Sequence, residues 1–163
     1  MFTNCISTHN NLEYLKLAIK SIKENSYLQR PLYIYAEGCE DGTNEWLRSY
    51  DQTKNFRYWI KPEKWEKEYW GIGGGMNFLA EKVNTEYINF LHSDMYMSEG
   101  WDEPLINAID GKRKHIVSSY RVEPKIFGHG QQTKNGTVVV PKDKFGAYHD
   151  NFDEELFNEW ADE

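Results

Sequence analysis

Short apolar runs alternate with helical periodicity along this chain, and that alternation limits the fold more than any other feature. FTNCIS at 2–7, LYIYA at 32–36, FRYWI at 56–60 and YINFL at 87–91 read as strands. Between the first two, Leu12, Leu15, Ile19 and Ile22 share one face of a helix that ends near Asn25 and that Asn10 or Asn11 can cap. Thr43 is placed to cap a short helix carrying Trp46, Leu47 and Tyr50. Residues 75–83 form a helix with Met76, Leu79, Ala80 and Val83 inward, and 103–109 a further helix before a fifth strand at 116–120. Strands separated by helices imply βαβ units, hence an α/β fold with a mainly parallel sheet and right-handed crossovers. Beyond Arg121 the pattern changes: 126–140 is Gly-rich and ends on the β-branched run TVVV, while 152–160 is helical. The expectation is one domain over 1–163, with an α/β half at 1–97 and a smaller part at 98–163.

With 163 residues, 39% of them hydrophobic, the chain can bury a single core. Its six Trp and eleven Tyr suit stacking on bases or sugar rings as well as half-buried packing. The net charge of −7, with no Lys/Arg stripe in the sequence, argues against a nucleic-acid partner. A phosphorylated ligand would therefore need a local cation, from clustered Lys/Arg or from a metal. Cys5 and Cys39 are too few for a disulfide framework. No run approaches a membrane span and MFTNCISTHNN lacks the character of a signal peptide, so the expected compartment is cytoplasmic. In that compartment Asn135-Gly136-Thr137 is a turn and not a glycosylation acceptor.

The fourth strand-like run ends directly on His92, Ser93 and Asp94. In an open parallel sheet, ligands bind outside the carboxyl ends of the strands. Thr8, His9 and Asn10 follow the first strand and Glu37 and Gly38 the second, so three strand ends present polar groups on one rim. GIGGGMNF at 71–78 does not fit a dinucleotide fingerprint, because WEKEYW precedes it and Met76 stands where a third Gly belongs. Its glycines at 73–75 can still bring backbone N–H groups and a positive helix end to a phosphate. One carboxylate beside a His and a Ser suits Mg²⁺ or Mn²⁺, which keep waters or phosphate oxygens as further ligands.

Four segments between residues 5 and 105, taken in order, resemble the nucleotide-sugar glycosyltransferases of family 2, which have the GT-A fold. CISTHNNLEYLKLAIKSI is similar to the family's first strand, turn and helix, and AEGCEDGTNEWL to its acidic Asp-Gly-Ser-x-Asp-Gly-Thr turn. GIGGGMNFLAEK matches the Gly-rich entry to a helix, and YINFLHSDMYMSEGWDEPL the strand that runs into an Asp-x-Asp metal motif. GAYHDNFDEELFNEWADE resembles the acceptor-side segment.

The resemblance implies roles position by position. Thr8 and His9, with Asn10, would line the nucleobase pocket, and Glu37 stands where an Asp accepts from uracil N3. Gly75 and Met76 lie at the Gly-rich helix entry, Met76 replacing a basic residue. Asp94 would hold the Mn²⁺ or Mg²⁺, with His92 in the place of the first Asp and Ser93 in the middle. Asp162 would be the general base, with Glu163 and Asp153 as competitors, and Ala161 replaces the usual preceding Glu. Trp101, Tyr120 and the loop at His129 are acceptor-side candidates. The implied reaction is metal-dependent, inverting transfer from a nucleotide-diphosphate sugar, a UDP-sugar first, to a hydroxyl of a glycan, lipid-linked sugar or protein. A non-catalytic nucleotide-sugar-binding relic and a nucleotidyltransferase are the alternatives.

Overall fold

The structure, a computed structural model, describes residues 1–61, 70–109, 111, 116–119, 121–124, 137–141 and 143–162. It divides into two compact units, Met1–Lys23 with Leu28–Tyr96, and Glu24–Tyr27 with Met97–Glu163.

The first unit alternates strands and helices: β1 (Phe2–Thr8), α1 (Leu12–Asn25), β2 (Leu32–Glu37), α2 (Thr43–Arg48), β3 (Phe56–Lys61), α3 (Gly71–Lys82) and β4 (Tyr87–His92). The strands form one parallel sheet in the order β3-β2-β1-β4. Every residue of β1 and β2 is buried, because central strands of such a sheet are covered on both faces. On one face Cys5, Tyr33, Tyr35 and Leu79 form a cluster against which Trp59, Phe78 and Val83 pack. Burial pushes the Cys5 thiol up to about 12, and neither cysteine is bonded to another. The edge strand β4 is tied to β1 by side chains as well as backbone, Asn89 Nδ2 donating to Asn4 Oδ1 at 2.8 Å, and in the turn before β4 the Thr85 hydroxyl bonds that of Thr3 at 2.9 Å.

Three helix starts differ from the local reading, and one residue accounts for two of them. Asn10 and Asn11 have φ of 58° and 72° and do not cap α1 with their side chains. The Leu12 N–H is held instead by Asp41 Oδ2 at 2.8 Å. Gly42, at φ 89°, is the N-cap of α2, while the Thr43 N–H and hydroxyl donate to Asp41 Oδ1 at 3.1 and 2.6 Å. Asp41 thus caps two helices at once. Burial alone would raise its pKa, but the hydrogen bonds from Thr43 and Leu12 outweigh that and hold it below the ordinary carboxylate value. A lowered folded-state pKa stabilises above the unfolded value and fades as pH falls through the folded one. Asp41→Asn keeps one acceptor oxygen and removes the charge at an exposed position, and is expected to cost about 0.5–1 kcal/mol near neutrality. The gap to the parent should close as denaturant titrations move below pH 3.8, the ordinary aspartate value, and on through the lower folded one. A gap independent of pH would contradict this.

The third start is that of α3, which begins at Gly71 and not at residue 75. Glu37, at the end of β2, accepts from the N–H groups of Trp70 and Gly71, at 3.0 Å each. An acceptor beyond the sequence window adds a helical turn. Of the expected inward residues, Leu79 is fully buried, and Met76, Ala80 and Val83 are half-buried.

In the second unit the segment Glu24–Tyr27 joins residues after Tyr96. The Gly100 N–H donates to the Asn25 carbonyl at 2.8 Å, and Tyr27 N–H to Asp102 Oδ1 at 2.6 Å. Helix α4 (Asp102–Asn107), strands β5 (Arg121–Pro124) and β6 (Thr137–Val140), and α5 (Glu154–Ala161) follow. β5 and β6 pair in parallel, Val122 opposite Val138. The fifth strand expected at 116–120 is not formed over 116–119, where Ile116 is fully exposed; the strand begins at Arg121, where TVVV provides a partner. Tyr120 lies outside the described residues, as do Asn135 and Gly136 of the expected turn.

Between Gly146 and α5 the chain makes a tight loop: Asn151 Oδ1 accepts from the N–H groups of Ala147 and Tyr148, and Asp153 N–H donates to the Phe145 carbonyl at 2.7 Å. Gly146 has φ of 80°, and a Cβ there would overlap the Asn151 carbonyl. Gly146→Ala should destabilise this loop by about 1–3 kcal/mol. Faster amide exchange at Ala147 and Tyr148 would report it; unchanged exchange would show that the loop has room.

Candidate functional site

The parallel register brings three strand ends of the first unit side by side. Thr8 lies opposite Ala36, one residue before Glu37, and Ser7 lies opposite His92. The side chains at these ends fall into two groups.

The first group is satisfied internally. Thr8 is buried and its hydroxyl donates to the Asn10 carbonyl at 3.0 Å. His9 Nδ1 lies 2.7 Å from the Glu37 carbonyl, an acceptor that can bond only a protonated ring nitrogen. Nε2 then accepts, and Asn10 Nδ2 is 3.3 Å from it. Asn10 also receives the Glu40 N–H on Oδ1 at 2.8 Å, and its own N–H donates to Cys39 Sγ at 3.2 Å. The left-handed backbone at Asn10 lets one residue stitch the β1 and β2 loops together. These loops form a rigid floor.

Glu37 is 2% exposed. Besides the two α3 amides, its Oε1 is paired with Lys61 Nζ at 3.2 Å, and Lys61 stands opposite it in the β2–β3 register. The same ammonium lies 4.3 Å from the Trp70 ring centroid, while Trp70 stacks on Tyr35 at 6.0 Å and 9°. Tyr35 is buried with a hydroxyl that has no hydrogen-bond partner among the described residues. Burial, then the Glu37 charge, pushes its pKa up to about 12. A carboxylate accepts about four hydrogen bonds. Among the described residues three are in place, two on Oε1 and one on Oε2.

Gly75 is buried where α3 crosses β1 and β2; a Cβ there would overlap Ser7 Oγ and lie 2.7 Å from Tyr35 Cδ1. Gly75→Ala should therefore lift α3 from the sheet, at a cost of about 1–3 kcal/mol. A parent-like thermal midpoint would contradict that contact. Met76, next on α3, is half-buried.

The second group is unengaged. His92 and Asp94 are exposed, and neither side chain makes a hydrogen bond or ion pair among the described residues; Ser93, between them, is buried. Among the described residues no three His, Cys, Asp or Glu side chains cluster as a metal cage. At this strand end Asp94 and His92 are the exposed groups that could hold a divalent ion, which would then keep other oxygens and water as ligands.

In the second unit, Asp162 is exposed at the end of α5, its N–H bonded to the Asn158 carbonyl at 3.2 Å. Asp153 is the N-cap of the same helix and accepts from Leu156 N–H at 3.0 Å. Trp101 donates its indole N–H to Ser26 Oγ at 3.1 Å. His129 and Glu163 lie outside the described residues. A hollow of about 400 Å³ is lined by Lys144, Phe145, Gly146, Ala147, Asn151 and Leu156, among others.

Sequence reasoning missed Asp41, Lys61, Trp70 and Tyr35. The acid before Gly-Thr at 41–43 was a legible capping signal for α2, while the Lys61–Glu37 pair depends on the β2–β3 register and carries no local signal.

The family model for glycosyl transferase family 2 matches residues 3–158. No match was found among curated protein sequences. Among solved structures the chain is similar to the crystal structure of S. aureus TarS, with a TM-score of 0.56 and 18% identity over 88% of this chain and 24% of that one. It is also similar to the crystal structure of S. aureus TarS 1-349, with a TM-score of 0.55 and 18% identity over 88% of this chain and 39% of that one. The chain thus spans less than half of either TarS chain, and the likeness is one of fold: a parallel sheet flanked by helices, of GT-A type. Among the described residues no helix is long and apolar enough to cross a membrane.

Proposed function

As this chain belongs to glycosyl transferase family 2, we propose that it moves a sugar from a UDP-sugar to an acceptor hydroxyl with inversion, using a divalent ion held at Asp94. The observation that carries this reading is the contrast along the rim: side chains after β1 and β2 are tied into a fixed floor, while His92 and Asp94 after β4 are exposed and unengaged.

In this reading the base lies against Thr8, His9 and Asn10, and an imide N–H donates to Glu37 Oε2. The backbone at Gly75 and Met76 and the Ser93 hydroxyl complete the nucleotide contacts. Asp94, with His92, would hold a Mn²⁺ or Mg²⁺ ion, which would supply positive charge to a departing diphosphate. Asp162 takes the proton from the acceptor hydroxyl. That oxygen then bonds to the anomeric carbon from the face opposite the leaving group. The carbon–oxygen bond to the diphosphate breaks, and its electron pair leaves with the diphosphate.

A non-catalytic nucleotide-sugar-binding protein is the second reading, favoured by the imidazole at position 92 and the single exposed carboxylate. Release of nucleoside diphosphate from a panel of UDP-, GDP-, CDP- and dTDP-sugars separates the two. Metal-dependent release from one UDP-sugar supports transfer. Nucleotide binding with no release from any donor rejects catalysis in favour of the second reading.

A further inference from the structure

Tyr35 on β2, Ser7 on β1 and His92 on β4 share one register row near the carboxyl ends of the strands. Aligned residues of a parallel sheet point to the same side, here the side of the Cys5, Tyr33 and Tyr35 cluster.

Ser7 is 6% exposed, and its hydroxyl makes no hydrogen bond among the described residues. A buried hydroxyl without a partner costs stability, so its presence asks for a reason. The approach of α3 is not that reason. A Cβ on Gly75 would overlap Ser7 Oγ, so residue 7 must be small, but alanine would serve as well. On the β2 side Tyr35 stacks on Trp70, and its own hydroxyl is also without a partner among the described residues. On the β4 side stands His92, exposed, with an imidazole that makes no bond among the described residues. Neighbouring strands lie about 4.8 Å apart, which puts a hydroxyl and an imidazole of one row within mutual reach.

We propose that Ser7 is a positioning residue for His92: with a divalent ion and a nucleoside diphosphate on the rim, Ser7 Oγ accepts from the imidazole Nδ1–H. That bond fixes one neutral tautomer and turns the Nε2 lone pair toward the ion. A neutral ring brings no charge to a metal, so its value there depends on a fixed orientation. The inference rests on the metal-dependent nucleotide site proposed above and gives that site a group behind its ligands.

The test is titration of Mn²⁺ in the presence of UDP, followed by the electron paramagnetic resonance signal of the free ion. Parent, Ser7→Ala, His92→Ala and the double variant form a cycle. Ser7→Ala should weaken Mn²⁺ binding by about tenfold where His92 is present. Where residue 92 is alanine it should weaken it no further, whereas a packing role would act equally on both backgrounds. In the Mg²⁺–UDP complex the His92 ring nitrogens should show a protonated Nδ1 in the parent and mixed tautomers in Ser7→Ala. Parent-like Mn²⁺ affinity in Ser7→Ala, an equal loss on both backgrounds, or a protonated Nε2 in the parent complex would overturn the proposal. Loss of binding in Asp94→Ala would still leave the metal site standing in those cases. A parent that binds no Mn²⁺ with UDP would remove the site and this role together.

Discussion

Replacing Glu37 with alanine is expected to cost about 3–5 kcal/mol, the range for removing one partner of a buried ion pair. The carboxylate, with 3% side-chain exposure, has three jobs: it accepts from the Trp70 and Gly71 N–H groups and neutralises Lys61. Without it two amides lose their acceptor, and Lys61, 20% exposed, loses one of its partners. The first turn of α3 should fray and the thermal midpoint fall by on the order of ten degrees. Glu37→Gln keeps the size but offers one acceptor oxygen in place of two, and should fall between parent and alanine variant. A Glu37→Ala midpoint within a degree of the parent would show that the clamp does not hold α3.

Asp94→Ala should do the opposite: little to stability and much to function. Its side chain is exposed and bonded to nothing among the described residues, so the fold has little to lose. Nucleoside diphosphate release should nonetheless fall by about 10²–10³-fold, as when a charge-stabilising group is removed from a transition state. His92→Asp should shift the metal requirement to lower concentration, because a second carboxylate adds charge where an imidazole adds none. Undiminished release by Asp94→Ala would remove the metal from the account.

These two residues also show what the sequence could and could not say. The strands around them were legible because each is a short apolar run between turns, and family-like segments placed both at strand ends. Asp94 is a candidate ligand in the sequence because it directly follows a family-like strand run. Glu37 could not be read fully, because its partners, Lys61, Trp70 and Gly71, come from another strand and another helix. Asp41 repeats the lesson, capping α1 from 29 residues away while Asn10 and Asn11 carried the local cap signal. The fifth strand failed for a related reason: β-branched residues at 116 and 117 supply propensity, but pairing partners decide, and β6 pairs with 121–124.

The central claim is that the rim is a metal-dependent nucleotide site, and thermal unfolding with UDP, GDP, CDP and dTDP, each with and without Mn²⁺, tests it most directly. Ligand at about 100 times its dissociation constant adds roughly 2.7 kcal/mol of stability. The account predicts a raised midpoint with UDP only when Mn²⁺ is present, lost in Asp94→Ala. No shift with any nucleotide, or a shift that survives Asp94→Ala, would contradict it.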